Sequence, residues 1–351
     1  MNALPGESAQ ALVTTPDNRK LIYAAVFLLV IVGALVTYKA TAALQVIQKV
    51  QNTATFQPRT NVLPLPGSSL QINVFARSVN YFLVIGPALI FGILISGVVR
   101  LLITPRRWTK LLGNGSMRSQ FVGGVAGMPL MLCSCCVAPI FSTMYERSAR
   151  LGPSLATALA APSLNPAALI LTFMLFESRF AITRLAIAIL AVFLTTAVVD
   201  RLFRVQLNAC PIDSEDSEQL TLMAFLRSWL QVALRTVPLI VIGVVVSMVV
   251  AQWLPAGVFA STWGKTAAIV MVALFAVPLA MPTFFEIPLA LILISAGAPA
   301  GAAVAMLIAG PAVNLPSLLT ITRATNWRVA VTVAGFIFVL AIGGGLLVSV
   351  L

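Results

Sequence analysis

Apolar residues recur along this chain in blocks about 20 long, parted by short polar stretches, near residues 21–43, 80–104, 120–145, 152–176, 180–199, 226–253, 266–295, 300–321 and 328–351. A block of about 20 apolar residues crosses a hydrocarbon layer about 30 Å thick as a helix. The pattern therefore predicts an all-α, polytopic integral membrane protein with up to nine membrane segments. Arg19 and Lys20 precede the first block as the positive flank of a secretory signal would, but the block is too long and no small-residue cleavage site follows it closely. It reads as a retained, extra transmembrane helix at the N-terminus.

Beyond this first helix the chain divides into two halves that repeat. A shift of 151 places Pro87 on Pro238, Gly92 on Gly243, Ser96 on Ser247 and Gly113 on Gly264. A shift of 149 then places Pro129-Leu130 on Pro278-Leu279, Pro139 on Pro288, Gly152 on Gly301, Pro162 on Pro311, Asn165 on Asn314 and Arg179 on Arg328. Chance matches in apolar sequence would be Leu, Ala and Val. Prolines and glycines match here, and they act on the backbone. The expected organisation is residues 1–79 as an N-terminal transmembrane helix with a periplasmic connector, 80–199 as repeat 1, 200–225 as an acidic cytoplasmic linker and 226–351 as repeat 2.

A proline inside a helix removes a backbone donor and clashes one turn back, at about 3 kcal/mol or more. Pro129 and Pro139 bracket one interruption, and Pro278, Pro282 and Pro288 bracket its counterpart. A second pair falls at "APSLNPA", around Asn165, and "GPAVNLP", around Asn314. Transporters built from two repeats hold their substrate near the midplane, where such broken helices meet. The loop after the first helix of repeat 1 carries Arg100, Arg106, Arg107, Lys110 and Arg118, whereas its counterpart, 254–265, carries only Lys265. Cytoplasmic loops gather Lys and Arg, so the two repeats are expected to be inverted. Inversion needs an odd number of crossings per repeat, so one segment, the one with the cysteines, is expected to dip in and return.

Composition agrees with the pattern: 60% of the residues are hydrophobic and 9% charged, against roughly a quarter charged in a soluble domain. The net charge of +12 sits between apolar blocks rather than in an arm with interleaved aromatics, which argues against nucleic acid. It orients the chain instead, with residues 100–118 and the N-terminus inside and 39–79 outside. The chain has no histidine, which removes most hydrolytic triads, haem ligation and mixed His/Cys zinc catalysis. "WGKT" at Trp263–Thr266 lacks the phosphate-loop glycine, which would stand at Phe259. "GGVAG" at Gly123–Gly127 fits close helix packing. No enzyme activity and no cofactor are expected.

The candidate chemistry lies in the interruptions. "MLCSCCVAPI" places Cys133, Ser134, Cys135 and Cys136 inside an apolar block. Thiolates suit soft ions such as copper(I), zinc or a trivalent metalloid. On an unbroken helix Cys133 and Cys136 share a face while Cys135 points away; a break lets all three converge. Two roles stay open, with Cys133 and Cys135 as ligands or with the cysteines as small buried packing residues. A disulfide framework is not expected, since Cys210 stands apart in the linker. Glu286, in "TFFEIP", is a carboxylate inside a membrane segment, costly there and able to carry a coupling proton; its alternative role is to bond backbone exposed by the break. The repeat sets it opposite Val137, beside the cysteines, with Thr283 as a neighbouring candidate substrate contact. Asn165 and Asn314 are expected first to bond the free backbone groups of their own breaks, and second to contact substrate.

"PLMLCSCCVAPI" followed by "RLGPSLATALAAPSLNPAALILTF" resembles the predicted permease family that includes the organoarsenical (ArsP-like) efflux permeases. The resemblance spans residues 80–351. It implies that Cys133, Ser134, Cys135, Pro139, Gly152, Pro162 and Asn165 occupy motif positions, with Cys136 where the family usually carries glycine. It also implies a secondary permease of the bacterial inner membrane that exports a thiol-reactive metalloid or soft metal species. The alternatives are a carrier of small sulfur-containing anions and a non-transporting membrane thiol redox factor. The expected partners are the lipid bilayer and a small molecule or ion, with room for a homodimer.

Overall fold

A computed structural model of the chain describes residues 18–53, 70–102, 117–146, 150–203, 222–252, 264–295 and 297–350. The basic loop 103–116 and the linker residues 204–221, with Cys210, lie outside the described residues. Thirteen α-helices and no strand occur among the described ones. After α1 (Asn18–Thr53), the first half comprises α2 (Leu70–Leu102), α3 (Met117–Gly127), a 3-10 turn at Met128–Leu130, α4 (Ser134–Glu146), α5 (Leu151–Ser163), α6 (Pro166–Leu175) and α7 (Ser178–Leu202). The second half runs through α8 (Leu222–Gln252), α9 (Lys265–Ala276), α10 (Glu286–Ser295), α11 (Ala300–Ala312), α12 (Leu315–Ala324) and α13 (Trp327–Val350). Six stretches, with α5 and α6 counted as one, are long and apolar enough to cross a membrane, and α11–α12, bent by 42°, makes a seventh.

Close approaches at glycines show how two pairs of helices run. A Cβ at Gly123 or at Gly127 would lie 2.5 Å from the carbonyl oxygen of Pro153 or of Thr157, respectively, and the Thr157 hydroxyl donates to the Gly123 carbonyl at 2.9 Å. Contacts that advance together along both helices mean that α3 and α5 run parallel with backbones nearly touching, as small residues permit. The intervening α4 must then run the other way. The α3–α4 pair is therefore a hairpin that enters the membrane and returns to the same face, which is the expected dip at the cysteines. In the second half, Ile269 of α9 meets Gly301 at the start of α11, while Met281 and Glu286 meet Gly310 near its end. This gives α9 and α11 the same direction and makes α9–α10 a second hairpin.

The halves are inverted with respect to each other. Glu146 ends α4 immediately before α5 begins, and it shares a cavity with Arg323, at the end of α12. The α5–α6 segment thus starts on the face where α11–α12 finishes. Asp200, at the end of α7, accepts from the Gly152 amide at 2.9 Å on that same face. Seven of the nine apolar blocks are long and apolar enough to cross when α11–α12 counts as one span, and those near 120–145 and 266–295 fold as hairpins, which gives three candidate crossings per repeat. Helix α2 begins at Leu70, ten residues before the boundary expected for repeat 1. Gln71, Asn73, Arg77 and Ser78 interrupt the apolar pattern there, so the helix outlasts the block that announced it.

A sulfur-lined candidate substrate site

The four interruptions meet. One small cavity, with about 10 Å³ of space, is lined by the tip of the first hairpin (Leu132, Cys133), the tip of the second (Met281 to Phe284, with Glu286), the α5–α6 break (Pro162, Asn165) and Pro311 ahead of the α11–α12 break. That volume is roughly one water molecule. The structure brings Cys133, Asn165, Thr283 and Glu286 into one wall. Cys135 and Cys136 lie behind Cys133, and all three are buried. Ser134 is buried at the start of α4 and Asn314 at the start of α12; neither belongs to the cavity wall.

The local sequence explains the sulfur geometry. Met131 has φ 49°, in the left-handed region, and ends the 3-10 turn with its amide on the Met128 carbonyl. The chain then extends to Cys133, whose carbonyl accepts from the amides of Cys136 (3.0 Å) and Val137 (3.1 Å). Cys133 is thus the residue that caps α4, and Cys135 and Cys136 lie in its first turn. The break turns the three side chains toward one point: Cys133 Sγ is 3.0 Å from Cys135 Sγ and 2.9 Å from Cys136 Sγ, with 3.9 Å between the last two. The positive end of the α4 dipole faces them. Tyr81 Oη lies 3.3 Å from Cys135 Sγ, and Cys136 Sγ donates to the Ile85 carbonyl at 3.9 Å, so α2 backs the cluster. Gly92 makes this possible, because a Cβ there would collide with the Cys136 carbonyl oxygen.

Glu286 is not the solitary carboxyl that its neighbourhood in the sequence suggests, nor is its described partner the backbone of the break. Arg184 of α7 donates from Nη2 to Glu286 Oε1 at 2.8 Å and from Nη1 to Thr172 Oγ1 at 2.6 Å. Arg184 is 1% exposed and Glu286 3%. A carboxylate taken out of water demands a counter-ion or hydrogen bonds, and here the cation comes from the other repeat, 102 residues earlier. Sequence reasoning passed over Arg184, although it is the lone charged residue of the block 180–199, and such residues mark function by default. Among the described residues the non-glycine positions with positive φ are Met131 and Phe284, one in each hairpin, where backbone strain of order 1 kcal/mol or more gathers at functional sites.

The asparagines do what their breaks require. Asn165 Oδ1 accepts from the amides of Ala167 (3.1 Å) and Ala168 (3.4 Å). Asn314 Oδ1 accepts from the Ser317 amide at 3.0 Å while its own amide donates to Ser317 Oγ at 3.0 Å, a reciprocal cap. The Nδ2 atoms of both and Nε of Arg184 are buried with no protein partner among the described residues. Asn165 lines the cavity, and its Nδ2 is a donor left over. A soft ion about 2.3 Å from each sulfur would set the sulfurs about 3.8–4.0 Å apart. The Cys135–Cys136 separation of 3.9 Å already matches, and the two shorter edges need to open by about 1 Å.

Two inverted units, with interrupted helices meeting around a buried pocket, define a multi-pass membrane permease. The family model for predicted permeases matches residues 70–350, and the chain belongs to that family. The UPF0718 protein YraQ of Escherichia coli (strain K12) is 28% identical over 248 residues, 70% of this chain and 71% of its own. The UPF0718 protein MJ0584 of Methanocaldococcus jannaschii is 20% identical over 321 residues, 72% of this chain and 88% of its own. The UPF0718 protein YcgR of Bacillus subtilis (strain 168) is 23% identical over 96 residues, 27% and 33% of the two chains. No solved structure matches.

Proposed function

We propose that this permease is a secondary transporter of the bacterial inner membrane that exports a thiol-reactive metalloid or soft metal species, with trivalent organoarsenicals as the leading class. The observation that carries this reading is the meeting of three sulfurs, 2.9–3.9 Å apart, at the deepest point of a broken segment. A trivalent arsenical with two hydroxyl groups binds two thiols by releasing two waters, and the product carries no net charge, which suits a midplane site. Cys133 and Cys135 are the ligands, and Cys136 completes the triangle. Asn165 Nδ2 and Thr283 face the oxygen or organic group of the cargo. A proton delivered to Glu286 breaks its pair with Arg184 and couples the gradient to movement of the second hairpin against α7. Burial of the three thiols supports this over a redox factor, which needs an attacking cysteine open to an exchange partner.

Cells with and without the gene, compared across arsenicals, copper, zinc, mercury and sulfur oxyanions, identify the cargo by the sensitivity that the gene relieves. Cys133→Ser and Cys135→Ser are expected to return that sensitivity to the level of cells without the gene. Normal transport by both variants overturns the ligand role.

A further inference from the structure

A second cavity, with about 280 Å³ of space, lies between α4, α8 and α12 on the basic face, where Arg118, Arg150 and Arg201 stand at the ends of α3, α5 and α7, and is large enough for a small organic or inorganic anion. Glu146 of α4, Arg235 and Thr236 of α8, and Thr320 and Arg323 of α12 stand in its wall, with Ser142 beside them. Two guanidinium groups face one carboxylate. Glu146 reaches Arg235 only at 3.8 Å, and both side chains are about half exposed, so the pair is weak and leaves most of the five guanidinium donors free. The Ser142 and Thr320 hydroxyls donate to the carbonyls of Pro139 and Pro316, both at 3.0 Å. The strong donors left in the wall are the arginines, so the complementary ligand is an acceptor with negative charge.

The repeat indicates that this chemistry is not a by-product of the fold. The positions equivalent to Glu146, Arg235, Thr320 and Arg323 are Ser295, Val84, Leu171 and Met174, so the charges are built on one face only. The cavity and the sulfur site share helix α4. Ser142 stands six residues beyond Cys136 along α4, about 9 Å at 1.5 Å per residue. Leu239 lines the cavity on α8, and one turn further Gly243 presses on Pro316, where a Cβ would lie 2.7 Å from the proline Cα.

We propose that this cavity is the mouth of the permease on its basic face and that it takes a small anion held between Arg235 and Arg323. Cargo then approaches the cysteines as an anion or within an anionic conjugate. The destination rests on the sulfur-site reading; the anion preference does not, and its failure leaves that reading standing.

The test uses the full chain in nanodiscs, where both faces are open, with Ser142→Cys in a Cys210→Ser background. The introduced thiol is reacted with an anionic and with a cationic methanethiosulfonate reagent, each rate divided by that reagent's rate with a free thiol in solution and corrected for the unsubstituted chain. The anionic reagent is expected to be favoured roughly tenfold. The preference should vanish in Arg235→Gln/Arg323→Gln, persist in Arg235→Lys/Arg323→Lys and grow in Glu146→Gln. Equal rates, or a preference for the cation, overturn the proposal. The same measurement in phosphatidylcholine alone and with added phosphatidylglycerol separates a soluble anion from a lipid phosphate. A preference kept in both lipids supports the mouth, and one abolished by the anionic lipid assigns the arginines to headgroups and overturns it.

Discussion

Arg184 and Glu286 hold each other where neither can stand alone. A buried ion pair contributes little net stability, but removing one partner strands the other, at about 3–5 kcal/mol. Arg184→Met is therefore expected to lower the thermal unfolding temperature in detergent substantially, whereas Arg184→Met with Glu286→Leu recovers most of that loss. Transport returns in neither if the pair serves coupling, and a double variant that transports normally removes the coupling role. The sequence carried one half of this pair openly, since Glu286 stands between prolines and draws the eye. Its partner lay in a distant block, and no local pattern joins residues 102 apart. The sulfur triangle was legible in a different way. Three cysteines within four positions are plain to see, but their convergence depends on the left-handed backbone at Met131, a residue type that gives no hint of it. Tyr81, which backs Cys135, looks like any aromatic residue of an apolar block.

At the level of elements, the interruptions were the most readable part of the chain. Pro166 and Pro316 open α6 and α12, where their missing amides do no harm, and the asparagine before each break caps the next helix. Replacing Asn165 with Ala is expected to cost about 0.5–2 kcal/mol, as losses of helix caps do. Asn314→Ala should fall toward the upper end of that range, because its cap is reciprocal with Ser317. Denaturant unfolding in mixed micelles measures both, and negligible losses contradict the capping role. Other prolines were less informative than their spacing promised. Pro139 lies inside α4 and Pro162 inside α5, so a proline that brackets a break need not sit at it. The ends of helices were the least readable feature, as α2 illustrates, because a helix continues through interfacial polar residues that an apolar pattern does not count.

Across the whole molecule, inversion follows from which helix ends share a face, and the unequal charge of two equivalent loops points the same way. Single cysteines in place of Arg107 and Lys265 are expected to be labelled from opposite sides of the membrane in intact cells. Labelling of both from one side contradicts the inverted arrangement. The two hairpins have an electrical consequence as well. Their tips close around a cavity with room for roughly one water molecule, so low-dielectric protein separates the two faces, and a charge carried from one to the other does about 2.3 kcal/mol of work per elementary charge at 100 mV. Turnover should therefore depend on voltage whenever the cycle moves net charge, as it does when a neutral thiol adduct is exchanged for a proton, and turnover of an electroneutral cycle should not.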